Sequence, residues 1–252
     1  VIGIEFKEHF EEKRMTYLTQ IQGHTLWRPG LNQQSLVVDL GANRGAFSKE
    51  LIERYGCRSH AFEANPALIH SMEGASQLTV YNYAVARQDG RLPFRIAAND
   101  EASTILCNDA EQSTDVIHVP AIHLERFLGN LAIDAIDVLK MDIEGAEIEV
   151  LESCSDRFLS NIGQLTVEFH DFLGLTSVSS IETTVQRLQS LGFAYIKVWQ
   201  HAWGDVLFIN RRLHAYSLPQ ILWSKYWTRN LWGFQRVLAR RWACHRVQGS
   251  NG

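Results

Sequence analysis

The chain has 252 residues, 46% of them apolar, and a formal net charge of -4, enough to bury one large core and form one α/β domain with an appendage. Four scattered cysteines with no C-x-x-C pair argue against a structural zinc site and for a reducing, cytoplasmic setting; no signal peptide is visible, and no apolar run reaches the ~18 residues of a membrane span. Positions 211–252 carry eight Lys and Arg and no Asp or Glu, which leaves 16 basic and 28 acidic residues in positions 1–210, so the two parts are expected to face different surroundings.

Residues 1–34 read as a helical cap, with a charged helix over 5–22 broken by Gly23 and then by Pro29-Gly30. The apolar run Leu36-Val37-Val38 predicts a strand over 35–39 that ends at Asp39 and is followed by Gly41, Asn43 and Gly45. Glycines there let a turn bring backbone close to a ligand. The dinucleotide fingerprint wants three glycines directly after the strand, and a triphosphate loop wants a lysine after the last one; neither is present. A carboxylate at this position suits a cofactor that carries an ammonium or a sulfonium, and S-adenosylmethionine carries both. The bland alternative is that Asp39 ends a strand and the glycines merely satisfy a tight turn.

A helix over 45–55 directs Phe47, Leu51, Ile52 and Tyr55 toward a sheet, and a second strand over 59–63 ends at Glu63, 24 residues beyond Asp39. A carboxylate at such a strand end can accept hydrogen bonds from a ribose diol. Asn65-Pro66 starts the next helical stretch, residues 78–83 form a third strand, and 91–96 a small edge ribbon after a turn at Gly90. Residues 99–115 are polar and aperiodic, an active-site flap or a surface loop.

After an extended stretch at 116–120 and a short helix over 124–128 comes the strongest later strand, 136–141. Asp142 and Glu144 end it at the sheet edge where open α/β folds bind ligands, with Lys140 on the same side as Asp142. Gly145 turns the chain into a helix whose Glu147 and Glu149 are expected to be solvated. A strand over 165–169 leads to His170, flanked by Glu168 and Asp171, which marks His170 as a base or substrate binder. Asp142, Glu144 and His170 could instead hold a divalent cation, although no compact metal motif is present. A helix over 180–191 and strands over 194–199 and 206–210 follow, and the Gly204-Asp205 turn predicts an antiparallel final strand.

Beyond residue 210 the chain is a basic, tryptophan-rich tail. Trp223, Trp227, Leu231, Phe234, Leu238 and Trp242 recur at helical spacing, with Lys225, Arg229, Arg236 and Arg240 largely elsewhere. Such a helix over 218–252 packs on its own domain, lies at the inner surface of an anionic membrane, or mediates oligomerisation. Nucleic acid is a weaker partner, because the body is acidic.

The blocks Val37 to Ser48, Phe62-Glu63-Ala64-Asn65-Pro66 and Asp137 to Glu147 together resemble the FkbM family of S-adenosylmethionine-dependent methyltransferases. The resemblance spans residues 35–210. It implies a class I methyltransferase-like Rossmann fold, a mostly parallel seven-stranded sheet with an antiparallel last strand. It further implies O-methylation of a hydroxyl on a small molecule, sugar or glycan. Carried onto this chain, it assigns Asp39, Gly41, Asn43 and Gly45 to the methionine-bearing end of S-adenosylmethionine, Glu63 to the ribose, and Asn82 and Ala84 to the adenine region. Asp142 and Glu144 are placed between cofactor and acceptor. His170 or Asp142 is expected to take the hydroxyl proton, and Phe169, Phe172 or Trp203 to stack on the acceptor. A non-catalytic S-adenosylmethionine-binding or scaffold protein is the alternative from another class; a nucleic-acid methyltransferase is the weaker enzyme alternative.

Overall fold

The computed structural model describes residues 17–95, 104–105, 116–171, 176–198 and 202–213. The chain enters as a hairpin of β1 (Leu18–Ile21) and β2 (His24–Trp27), then forms β3 (Leu36–Leu40), helix α1 (Ala46–Tyr55) and β4 (Arg58–Phe62). A 3-10 helix, Pro66–Met72, leads to β5 (Leu78–Tyr81), β6 (Ala84–Ala86), β7 (Gly90–Arg95), β8 (Thr104–Ile105) and β9 (Val116–His123). Then come α2 (Leu124–Asn130), β10 (Ile136–Met141), α3 (Glu147–Ser153), α4 (Asp156–Ser160), β11 (Ile162–Val167), α5 (Val178–Ser190), β12 (Phe193–Lys197) and β13 (Val206–Asn210).

The central sheet has seven strands in the order β12-β13-β11-β10-β3-β4-β5. Its body is parallel, and β13 alone runs antiparallel to both of its neighbours. The chain moves outward from β3 to β5 and later returns to place β10 on the other side of β3. That reversal opens a crevice at the carboxyl ends of β3 and β10, where a doubly wound sheet can receive a ligand. The class I methyltransferase-like sheet expected from the sequence is therefore the one observed. Its parallel strands are buried on both faces, as in Ile162–Val167, all six residues of which are buried. The main core joins Val38, Leu40, Leu139, Met141, Leu165 and Phe208 of the sheet to Leu128, Leu151, Ile181 and Leu188 of the helices.

Two features depart from expectation. Residues 90–95 belong to a separate four-stranded sheet, β6-β9-β7-β8, rather than to an edge ribbon of the main one. Residues 18–21, expected to be helical, form a strand instead. Gln22 and Gly23, at φ 47° and 86°, make the two-residue turn that matches the twist of paired strands. Tertiary partners hold the hairpin in place. The Thr25 N–H and hydroxyl donate to the Asp205 carboxylate at 3.1 and 2.6 Å, and the Gln164 amide exchanges hydrogen bonds with the Trp27 backbone at 2.8 and 3.0 Å. The remainder of the expected 5–22 helix, most of the 99–115 flap and all of the 218–252 helix lie outside the described residues.

Candidate active site

The crevice is built first by the turn after β3. Gly41 and Ala42 both donate backbone N–H groups to the Phe62 carbonyl at 3.0 Å, which pins this turn to the end of β4. Gly41, at φ 74°, has to be glycine, because a Cβ there would sit 1.8 Å from the Asp142 carbonyl oxygen. Gly45, at φ 75°, starts α1 and packs on Met72, whose Cγ a Cβ would meet at 2.8 Å.

Glu63 closes the next wall. Its carboxylate accepts N–H bonds from Asn43 and Asn65, both at 2.7 Å. Burial raises its pKa against those bonds. The Asn82 amide donates to the carbonyls of Glu63 and Ala64 at 2.9 and 3.1 Å and so fixes the same bend. A cavity opens here, lined by Gly41, Asn43, Phe62, Glu63, Leu68, Tyr83, Ala84, Val85 and Phe94, and on its far side by Asp142, Ile143 and Glu144.

The end of β10 supplies the charge. Lys140 is buried; its ammonium donates to the Gly41 carbonyl at 2.7 Å and lies 3.3 Å from Asp39 and 3.5 Å from Asp142. Burial alone would favour the neutral amine, but the two carboxylates outweigh it and raise the Lys140 pKa. Asp142 also has His24 at 3.6 Å and His170 at 3.6 Å. Against the opposing effect of burial, Lys140 and the two histidines hold its carboxyl well below the usual range.

Glu144 and His170 behave otherwise. Glu144 sits in the left-handed region at φ 53°, strain that a side chain tolerates where its surroundings fix it. Burial, followed by the charges of Asp142, Glu147 and Glu168 and opposed by His170, raises its pKa to about 7. His170 has Nε2 3.3 Å from Glu144 and Nδ1 3.0 Å from Glu147. Burial disfavours its charge, yet the hydrogen bond and charge of Glu147, with Glu144 and Asp142 behind them, raise its pKa to about 9. His170 is therefore an imidazolium at neutral pH.

Several expected site residues are placed differently. Asp39 lines neither this cavity nor the neighbouring one; fully buried, it accepts from the Ser48 hydroxyl at 2.7 Å and braces Lys140. Gly45 and Asn82 likewise support the crevice without lining it, whereas Gly41, Asn43, Glu63, Ala84, Asp142 and Glu144 all line it. Glu147 is fully buried rather than solvated, and it also accepts from the N–H groups of Ile143 and Gly145; Glu149 is exposed as expected. Asp171 accepts from the Trp203 N–H at 3.1 Å, so the carboxylate that orients His170 is Glu147. Phe169 and Trp203 are buried against one another in the core, closed to an acceptor; Phe172 lies outside the described residues. His24, unremarked in the sequence, reaches the site because its hairpin docks there. Among the described residues, Asp142, Glu144 and His170 bring ligand-type atoms within 4.8 Å of one another, as do His24, Asp142 and Glu168.

A family model described as the methyltransferase FkbM domain matches residues 39–195, more than half of the chain. The chain belongs to the FkbM methyltransferase domain family. This FkbM-family chain is 26% identical over 185 residues to "Methyltransferase 1" of Beauveria bassiana, a similarity covering 64% of this chain and 72% of that one. Among solved structures it is similar to the fibrillarin pre-rRNA processing protein of Methanococcus jannaschii, with a TM-score of 0.42 and 11% identity over 77% of this chain and 70% of that one. It is also similar to a precorrin-6y C5,15-methyltransferase of Geobacter metallireducens, with a TM-score of 0.38 and 13% identity over 71% and 80% of the two chains. Such loose structural likenesses add nothing to the family assignment.

The FkbM-family chain is an S-adenosylmethionine-dependent methyltransferase, and its crevice fits that cofactor. Aromatic and aliphatic walls from Phe62, Leu68, Tyr83, Val85 and Phe94 stand beside one buried carboxylate, Glu63. That combination suits an uncharged nucleoside with a diol. Among the described residues no lysine lines it to grip phosphate.

Proposed function

We propose that the chain transfers the methyl group of S-adenosylmethionine to a hydroxyl oxygen of a small polyhydroxylated acceptor, a sugar or a glycan, with Glu144 as the group that takes the proton. The carrying observation is that Glu144 lines the cavity beside Asp142 with His170 Nε2 3.3 Å away; of these three groups, Asp142 is held well below the usual carboxylate range, His170 is raised to about 9 and Glu144 to about 7. A carboxylate that is a weak acid at working pH is a competent base, whereas one held far below that is a poor one. Bound S-adenosylmethionine supplies an already activated methyl group. The protein's work is then to align the acceptor oxygen, exclude water and move one proton.

In this reading Glu144 lines the cavity and takes the hydroxyl proton as the oxygen attacks. Asp142, fixed from both sides by Lys140 and His24, stays ionised beside Glu144 and belongs to the cofactor side of the site. His170, aimed by Glu147, favours the ionised form of Glu144 that receives the proton. A divalent cation on Asp142, Glu144 and His170 is the second reading, favoured by the proximity of their ligand atoms; against it, Lys140 and the His170 imidazolium already supply positive charge to the same carboxylates.

Incubation with methyl-labelled S-adenosylmethionine and a panel of glycosides and hydroxylated aromatics, with and without EDTA, tests both. S-adenosylhomocysteine release together with an alkali-stable methyl ether, unaffected by EDTA, is the expected result. Methyl label on nitrogen or carbon overturns the acceptor assignment. Loss of turnover in EDTA that Mg2+ or Mn2+ restores selects the cation reading.

A further inference from the structure

We infer that the β1-β2 hairpin is part of the cofactor site, with Gln22 and His24 closing a second cavity over the amino-acid end of S-adenosylmethionine. The hairpin precedes the segment that the family model matches, residues 39–195, so nothing in the family assignment reaches it.

The second cavity is lined by Gln22 and His24 from the hairpin, Arg44 and Phe47 around the start of α1, and Lys140 and Asp142 from β10. It shares Gly41, Asn43 and Asp142 with the Glu63 cavity, so the two meet at the turn after β3. A ligand with its ribose at Glu63 that extends past this turn puts its other end here. That end of S-adenosylmethionine is a zwitterion, one carboxylate and one ammonium. The lining matches it in kind: an arginine, a lysine, a histidine and the start of a ten-residue helix without a side-chain cap favour a carboxylate, and Asp142 an ammonium.

The hairpin is held firmly enough to serve as a wall. Thr25 is fastened to Asp205 and Trp27 to Gln164, both on buried hydrogen bonds. These hold the His24 ring, itself buried, with Nε2 3.6 Å from Asp142 and its ring edge-on to Phe47 at 5.6 Å between centroids. Gln22, at the exposed tip, donates to Glu50 of α1 at 2.7 Å, which ties the turn across the cavity mouth.

The inference rests on S-adenosylmethionine as the cofactor, and two related ligands separate the two ideas. S-adenosylhomocysteine has the amino-acid end; 5′-methylthioadenosine has the same nucleoside and sulfur without it. Calorimetric affinities for both are measured on the full chain and on Gln22→Asn and His24→Gln. Each variant is expected to weaken S-adenosylhomocysteine about tenfold, the equivalent of one lost hydrogen bond of about 1.4 kcal/mol, and to leave 5′-methylthioadenosine within about twofold. Gln22→Asn keeps a residue that tolerates the left-handed turn and lies outside the core, so it carries the test even if His24→Gln perturbs folding. Unchanged affinity for S-adenosylhomocysteine, or an equal loss for both ligands, overturns the hairpin's role. A wild-type chain that binds neither ligand overturns the cofactor premise, and the inference with it.

Discussion

Glu144 and His170 touch one another and are pushed in the same direction by different causes. Burial beside other carboxylates raises Glu144 to about 7, and a ring of carboxylates raises His170 to about 9. The base has to be deprotonated, so turnover is expected to climb as pH rises through about 7. The imidazolium has to stay charged, so turnover is expected to fall as pH passes about 9. The two limbs belong to the coupled cluster, and substitution assigns them. Glu144→Gln is expected to lower kcat by about 10²- to 10⁴-fold, abolish the acid limb and leave S-adenosylhomocysteine affinity within a few-fold of wild type. An unchanged acid limb in that variant would remove Glu144 from the proton transfer. At this scale Asp142, Glu144 and His170 were legible as a group because each follows a predicted strand. Their division of labour was not, since it depends on His24 and Glu147, which other elements bring in, and on the burial of Lys140 between Asp39 and Asp142.

At the scale of elements, the site depends on how closely β3 and β10 approach. The Gly41 position faces the Asp142 backbone carbonyl, and the Gly45 position faces the flexible side chain of Met72. Both glycines have positive φ, so an alanine at either costs about 1–2 kcal/mol in backbone conformation. Only at Gly41 does the new methyl group also force strand ends apart. Gly41→Ala is therefore expected to lose several-fold more S-adenosylhomocysteine affinity than Gly45→Ala, and to unfold at lower urea. Equal effects on binding and on the urea midpoint would show that conformation, not the close approach, is what matters. The β-α alternation from residue 36 to 62 and from 136 to 210 was readable from apolar runs, glycines and carboxylates. The hairpin was not, because β2 is buried along its whole length and lacks the alternation that marks a half-buried strand.

For the whole molecule, one ligand would bridge β3, β4, β10 and the hairpin. Binding to the folded chain alone stabilises it by mass action, about 2.7 kcal/mol at a hundred times Kd. For a domain of this size that corresponds to a Tm rise of about 5–10 °C, readable by scanning calorimetry with S-adenosylhomocysteine. No shift at any ligand concentration would show that the folded chain does not bind the ligand.

By itself the sequence determined the alternation of strands and helices along the central sheet and the positions of its strand-end carboxylates. It also determined the family, through the blocks around Gly41, Glu63 and Asp142. These are local matters: a run of apolar residues, a glycine where backbone must turn, a carboxylate at a strand end. Only the tertiary structure decided that Asp39 is a brace, that Glu147 is buried under His170, and that His24 reaches Asp142. Those outcomes depend on burial and on charge partners far apart in the chain, and the same carboxyl group becomes a strong acid, a near-neutral base or a buried brace according to what the fold sets beside it.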